Sequence, residues 1–537
     1  MKPPCDEAVV RSEPAAIPCS QDLGPWILAA TILGSSMAFI DSTVVNVALP
    51  ALQSSFGASV VDVQWVVEAY GLFLGALILV GGSVGDLFGR RRVFVVGVTM
   101  FALASMACGF AQDIYQLITA RALQGVGGAF LVPGSLAIIS ASFREEERGK
   151  AIGTWSGFTA ITTAMGPVLG GWLIEHASWR WAFFINVPIA AAVIGISVWR
   201  VPESRSTGER HIDWLGAVLA TVGLGGLVYG LIESSHNGWG DTRVMGSLIG
   251  GTACVLAFVY VEKKARFPMV PLELFRSRLF AGANLLTFFL YSAIGVLFFL
   301  FSLDLIQVQH YSATAAGAAA LPMILLMFLL SSWSGGLVAR YGPTLPLATG
   351  PLIAAAGFCL LAISGMASSY WTSFFPAFVV LGLGLAVSVA PLTTVVMNAV
   401  DQSRAGTASG INNAVARVAG LLAIAVLGIF MVRSFSTHLE RNIAGLQLPP
   451  EAVQELKANR IRLAATETPS GLDPNVATAV KTAVDRAFLS AFRLVMFMCA
   501  GLCVLSAVCA KLLIAGKAGM TRPSGVLREG LSAEAKQ

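Results

Sequence analysis

Fourteen stretches of mostly apolar residues follow one another along the chain. They lie near 25–47, 63–84, 93–112, 115–138, 152–174, 182–200, 214–232, 244–262, 280–303, 313–337, 345–366, 373–397, 406–432 and 490–513. Each approaches the roughly 20 residues that carry a helix across a hydrocarbon layer about 30 Å thick. Lipid offers no partner to a bare peptide group, so such segments close their hydrogen bonds internally as helices. The composition agrees. Hydrophobic residues make up 56% of the chain and charged residues 12%, with a mean hydropathy of +0.75. A soluble chain carries about 25% charged residues. The chain therefore reads as an all-α polytopic membrane protein, and an ordinary soluble enzyme is excluded.

An even number of spans places both ends of the chain on one side. The loops of that side hold Arg90, Arg91 and Arg92, then Arg144, Arg148 and Lys150, then Arg205 and Arg210, then Lys263, Lys264, Arg266, Arg276 and Arg278. The short loops opposite offer little beyond Arg180 and Arg243. Lys/Arg-rich loops stay in the cytoplasm, so both termini are expected there. Economical loops point to a bacterial inner membrane. Asp6, Glu7, Glu13 and Asp22 precede the first span, unlike a cleavable signal peptide. Of eight cysteines, six lie in apolar segments, and no CxxC or His–Cys spacing occurs. Neither a metal site nor a disulfide framework is expected. The five histidines fall in loops or at helix ends and are assigned no proton relay.

Two short patterns recur at one offset. Gly82-Ser-Val-Gly-Asp86-Leu-Phe-Gly89 returns as Gly335-Gly-Leu-Val-Ala339-Arg-Tyr-Gly342, and Gly153-Thr-Trp-Ser-Gly157 as Gly406-Thr-Ala-Ser-Gly410. Both shifts are 253 residues. A shared shift implies two similar halves in the same orientation, related by an axis along the membrane normal. The expected organisation is a tail over 1–24, a six-helix bundle over 25–200 and a two-helix insert over 201–265. A second six-helix bundle follows over 266–515, with an extracytoplasmic loop at 433–489, then a tail over 516–537. Within the loop, residues 449–465 are helical in pattern. They read as a cap on the outer mouth, as a contact for a periplasmic adaptor, or as a solvated linker, the last being the expectation.

Several motifs resemble a known family. Gly82-x-x-x-Asp86-x-x-Gly89-Arg90-Arg91-Arg92 resembles the cytoplasmic loop motif of the major facilitator superfamily, and Leu117-x-x-x-Arg121-x-x-Gln124-Gly125 its fourth-helix motif. Gly166-Pro167-x-x-Gly170-Gly171 resembles the fifth-helix antiporter motif. The stretch from Asp41 through Asn46 to Pro50, and that from Trp179 through Asn186 to Pro188, are similar to the fourteen-helix drug:proton antiporters of the EmrB/QacA type. The resemblance implies the major facilitator fold, two six-helix bundles with two helices inserted between them. It also implies export coupled to protons. One departure is Ala339, which stands where the second copy of the loop motif would carry an acid.

Depth along the helices identifies the charges to explain. At 1.5 Å per residue, Asp41 lies roughly 22 Å from the inner face. Glu68 lies roughly 21 Å and Arg121 about 20 Å from that face. Ionisable groups at such depth are functional by default. Asp41, Glu68 and Arg121 are therefore expected around one cavity. There Asp41 exchanges a proton, Arg121 tunes it, and a cationic substrate competes for the same carboxylate. The competing reading is a fixed Asp–Arg pair that orients two helices. Glu68 reads equally as a second proton or cation site and as a neutral, hydrogen-bonded carboxyl. Asn412, Asn413 and Arg417 form a second-half polar stripe. Arg417 contacts substrate or, as the slightly preferred reading, binds backbone carbonyls freed by nearby glycines. Asp86 with Arg90–Arg92 reads as a gate that pairs across the halves and as positive-inside anchoring. Pro167 kinks its helix, while Gly166, Gly170 and Gly171 admit a close neighbour. Phe288, Phe289, Tyr291, Phe298, Phe299, Met323, Met327 and Phe328 are candidates for an adaptable cavity wall, the competing reading being that they face lipid or core.

The expected function is proton-coupled efflux of amphipathic or cationic toxic compounds by alternating access. The alternative is a dedicated exporter of one endogenous metabolite or antibiotic. No phosphate-binding loop GxxxxGK[ST] occurs, so the energy comes from an ion gradient. Protons are preferred to sodium because the buried groups are carboxylates. No cofactor, no metal and no nucleic-acid partner is expected, and no nucleophile–base pair marks an enzyme. The partners are a small molecule, protons and the bilayer, and the expected state is a monomer.

Overall fold

The computed structural model describes residues 23–205, 212–366, 368–400 and 405–514. The tails expected over 1–24 and 516–537 lie almost wholly outside them. Among the described residues, fourteen helices are long and apolar enough to cross a membrane. They are α1 Gly24–Phe56, α2 Val60–Phe88, α3 Arg90–Phe110, α4 Ile114–Ser142, α5 Lys150–His176, α6 Trp181–Arg200, α7 Trp214–Asn237, α8 Thr242–Lys264, α9 Arg278–Val308, α10 Ala313–Ser331, α11 Thr344–Ala362, α12 Tyr370–Asn398, α13 Thr407–Ile443 and α14 Pro474–Ile514. The end of the bundle at which α1 starts and α14 stops is called inner below, and the opposite end outer.

The repeat is visible in the helices. Shifted by 253 residues, the start of α2 falls on Ala313, where α10 begins, and the start of α1 falls one residue short of Arg278, where α9 begins. Neighbours repeat as well. In the first half α2 packs on α4, α3 on α4, α1 on α5 and α3 on α6; in the second, α10 packs on α12, α11 on α12, α9 on α13 and α11 on α14. Helices α7 and α8 pack on each other, and α7 also lies along both α2 and α13.

The segment 433–489 is not one long loop. Helix α13 runs on to Ile443 and α14 already starts at Pro474. Phe435, Leu439 and Ile443 recur at helical spacing on one side, and Val480, Val484 and Phe488 on the other, and all six are buried. An amphipathic antiparallel pair thus continues the bundle beyond the apolar spans. The remainder is not a solvated linker either. It contains a short helix, Pro450–Ala458, and a 3₁₀ segment, Asn459–Ala465. Leu456 and Leu463 within it are buried. The Arg462 carbonyl accepts a hydrogen bond from Gln53 Nε2 (3.1 Å), and its guanidinium donates to the Gly57 carbonyl (3.0 Å). Leu463 has φ 53° and ψ −125°, a conformation that costs of order 1–3 kcal/mol. The segment is a strap from the second half across the outer end of α1.

The two halves meet tightly on the outer side. Gln307 Nε2 donates to Gln53 Oε1 (2.9 Å), joining α9 to α1, and Gln64 Nε2 donates to the Ile424 carbonyl (3.0 Å), joining α2 to α13. Glu175 at the end of α5 accepts from the Thr314 amide (3.2 Å) and hydroxyl (2.6 Å) at the start of α10. Between them, a Cβ on Gly171 would lie 2.3 Å from the Ala313 carbonyl oxygen, and one on Gly317 would lie 2.0 Å from that of Pro167. Toward the inner end, a Cβ on Gly153, Gly157 or Gly335 would meet nothing within 4 Å. Helices α5 and α10 therefore touch at their outer ends and part toward the inner ones. We expect Gly171→Leu to force the outer ends apart. In a cysteine-free background, a cysteine at Ala51 in the cleft below the strap should then react faster with a membrane-impermeant maleimide. An unchanged rate would show that this contact does not close the outer side.

Candidate functional site

The α1–α2 corner sets the geometry of the site. Helix α1 stops at Gly57, whose φ of 60° suits glycine. A capping box then starts α2: Ser59 Oγ accepts from the Asp62 amide (3.2 Å), and Asp62 Oδ2 accepts from the Ser59 amide (2.8 Å). Helix α4 starts on Asp113, which accepts from the Gln116 amide (2.8 Å). These starts place residues 41, 66 and 121 at one level.

Asp41 and Arg121 form an ion pair, with 2.5 Å between Nη1 and Oδ2, and their side chains are 0% and 1% exposed. Oδ1 of Asp41 accepts from Gln124 Nε2 (2.8 Å) and Asn186 Nδ2 (3.4 Å). Arg121 also donates to Gln124 Oε1 (2.7 Å) and to the Val66 carbonyl (3.0 Å). Its guanidinium lies 4.2 Å from the centre of the Tyr70 ring. Asn186 donates to Ser105 Oγ (3.0 Å), which donates to the Phe183 carbonyl (2.9 Å). Five helices, α1, α2, α3, α4 and α6, thus join in one hydrogen-bonded network around this carboxylate. Gln124 and Asn186 stand in the family-like motifs, and their spacing alone gave no sign of this role. Nothing in the sequence marked Ser105.

Glu68 does not join this cluster. It lies two positions from both Val66 and Tyr70, so at 100° per residue it projects from the opposite side of α2. That side faces α13. Gln64 bonds Ile424 there, a Cβ on Gly71 would lie 2.7 Å from Leu421, and one on Gly75 would lie 3.4 Å from Arg417 Cβ. Glu68 is fully buried, and neither carboxyl oxygen has a hydrogen-bond partner among the described residues. Of the two readings of Glu68, the hydrogen-bonded carboxyl is thus not found among the described residues. Asp304, which begins a π-helical segment at the outer end of α9, is a second buried carboxyl, and neither oxygen has a hydrogen bond of ordinary geometry among the described residues. Its place at the margin of an apolar run gives it no mark in the sequence.

The second-half stripe divides. Asn412 turns toward α9 and donates to Asn284 Oδ1 (3.1 Å) and Thr287 Oγ1 (2.7 Å). Asn413 is exposed and donates to the Ser409 carbonyl of its own helix (3.0 Å). Arg417 makes no hydrogen bond to a carbonyl among the described residues, contrary to the preferred reading. The helix runs unbroken through Gly410 and Gly420, so their carbonyls are taken up in its own hydrogen-bond ladder.

At the inner corner, Arg90 bonds Asp86 through Nε (2.9 Å) and Nη2 (2.8 Å). Gly89 has φ 108°, a region that favours glycine. Its backbone lets Glu203, buried after α6, accept from the Arg91 (3.1 Å) and Arg92 (3.2 Å) amides. Glu203 thus caps α3 from the segment that follows α6, a contact the motif did not foretell. Gly82 stands a turn above, beside Pro133. In α5, a Cβ on Gly166 would strike Thr43 and one on Gly170 would strike Val44, both on α1. Gly171 and Pro167 face α10 as described above. Of the aromatic and methionine residues, Met323 is buried in the core and Phe328 is exposed.

Removing one partner of a buried ion pair costs about 3–5 kcal/mol, because the other charge is stranded. Arg121→Met should therefore lower the thermal unfolding midpoint of the purified protein. The double change Asp41→Asn/Arg121→Met should be the more stable of the two. A double variant less stable than the single one would contradict a stranded carboxylate.

Comparison with known proteins places the chain. The family model for the Major Facilitator Superfamily matches residues 31–424. The chain is 36% identical over 433 residues to the multidrug resistance protein Stp of Mycobacterium tuberculosis, covering 80% of this chain and 79% of that protein. It is 36% identical over 442 residues to the tetracenomycin C resistance and export protein of Streptomyces glaucescens, covering 81% of each. In fold it matches a bacterial homologue of the human lysosomal transporter Spinster, solved inward-facing and unoccupied, with a TM-score of 0.62 at 17% identity over 92% of this chain and 98% of that one. The chain belongs to the major facilitator superfamily and has a fourteen-helix form of its fold.

Proposed function

We propose that the protein exports amphipathic drugs or antibiotics across the inner membrane of a bacterium by alternating access, driven by protons moving the other way. The observation that carries the coupling is the Asp41–Arg121 pair, which is shut off from solvent, with neutral donors on Asp41 and neutral acceptors on Arg121. A carboxylate is held ionised by an adjacent arginine and by hydrogen bonds to its charged form. Any conformational change that draws Arg121 away favours uptake of a proton, and its return favours release. The relatives named for resistance and export support the direction of transport. The parted inner side and closed outer side support one of the two end states. The Lys/Arg bias supports cytoplasmic termini, and a monomer contains the whole site. A second reading, export of one particular antibiotic, is favoured by the relative named for tetracenomycin C alone.

The test is uptake of a panel of amphipathic fluorescent compounds into everted vesicles of a pump-deficient bacterium under an imposed proton gradient. The wild type should accumulate at least one compound, and Asp41→Asn should lose gradient-driven accumulation while inserting normally. Full retention by Asp41→Asn would assign the pair to helix packing.

A further inference from the structure

Two arginines lie at mid-depth, and only one is neutralised. Arg121 is saturated by Asp41, Gln124 and the Val66 carbonyl. Arg417 stands about 15 Å along α13 from Thr407 at 1.5 Å per residue, with neither an ion pair nor a hydrogen bond among the described residues. It is partly open rather than sealed. The opening does not face lipid. Helix α7 covers the far side of the α2–α13 seam, where Leu72 meets Gly225, Trp65 Nε1 donates to Glu233 (3.2 Å), and Val228 and Ile232 are buried. An unpaired guanidinium against hydrocarbon would also be costly. The open side of Arg417 therefore faces the space between the halves.

Among the described residues, that space holds no anion ready for it. Asp41 is taken by Arg121. Glu68 is on the same seam but seven residues outward of Gly75, about 10 Å by helix rise. The side chain of Arg417 sits beside Gly75, where a Cβ would approach Arg417 Cβ to 3.4 Å. Asn413, one turn inward on the same face, is exposed. Leu421 and Leu79 flank the pair on the seam. A cation, an amide and an apolar wall thus border one partly open space.

We propose that Arg417 is an anion-recognition residue of the transport cavity, and that the exported compounds include amphipathic organic acids whose carboxylate or phenolate pairs with it. This rests on the export reading above and adds organic acids to the amphipathic or cationic compounds expected from the sequence. Arginine suits the role because its planar fork binds a carboxylate through two parallel hydrogen bonds. The apolar remainder of such a compound would lie against the leucines, and Asn413 would meet a neutral polar substituent.

The experiment uses the full chain in everted vesicles with three probes: 7-diethylaminocoumarin-3-carboxylate, its ethyl ester, and ethidium. The wild type should move the carboxylate. Arg417→Gln should raise the KM for the carboxylate by about tenfold or more, the order expected when a hydrogen bond to a charged group is lost. The ester should be little affected, and Arg417→Lys should recover part of the loss. If the wild type moves the ester or ethidium but not the carboxylate, the anion assignment falls and the export reading stands. If it moves none of the three, both fall. If Arg417→Gln loses acid and ester equally and Glu68→Gln does the same, Arg417 is instead part of a latch between the halves, and the proposal is overturned.

Discussion

One ion pair organises the first half of this protein. Asp41 and Arg121 are sealed from solvent and draw α1, α2, α3, α4 and α6 to one point. Such a pair is a weak source of net stability, since taking two charges out of water costs nearly what their attraction returns. Its value lies in specificity and in sensitivity. Each bond fixes the rotation of a helix about its axis, and a proton on Asp41 would release the strongest of them. A packing contact between leucines could hold the same helices but could not respond to a proton.

The second half is built on the same helix pattern without that pair. Its polar residues are distributed differently: Asn412 clasps α9, while Arg417 stays open on the seam with α2. Similar backbones therefore carry different electrostatics, a closed ion pair on one side and, on the other, a cation with no ion pair among the described residues. The halves are held together at their outer ends by Gln53–Gln307, Glu175–Thr314 and the glycine contacts of α5 with α10. The strap through Arg462 adds a bridge over the same mouth. These contacts are short and polar or depend on missing side chains. An interface of this kind closes firmly and still separates without exposing a large apolar core.

The fold was largely legible in the sequence, because lipid leaves a backbone few options and twenty apolar residues are easily counted. The fourteen spans, the 253-residue repeat and the loop arginines all follow from residue type and spacing. What escaped depends on rotation about helix axes and on contacts distant in sequence. Depth alone put Glu68 level with Asp41, but two residues of twist turn it from α4 toward α13. The amphipathic extension of α13 and α14 was hidden because a hydropathy window averages Arg433 and Arg441 with Phe435 and Leu439. Glu203 and Ser105 are single polar residues whose partners lie 78 to 112 positions away, and no local pattern announces them. The family-like motifs did better at the site, since Arg121, Gln124 and Asn186 all stand within them.

The central claim is that Asp41 changes its protonation state rather than serving as a fixed staple. Infrared difference spectroscopy of the purified protein, recorded between acidic and neutral pH, tests it without requiring a known substrate. A protonated carboxyl in a dry site gives a C=O stretching band separate from the amide signal. The account predicts that acidification produces such a band, that Asp41→Asn removes part of it, and that Glu68→Gln removes a different part. Identical difference spectra for the wild type and Asp41→Asn would show that Asp41 remains ionised throughout, and would contradict proton coupling through this pair.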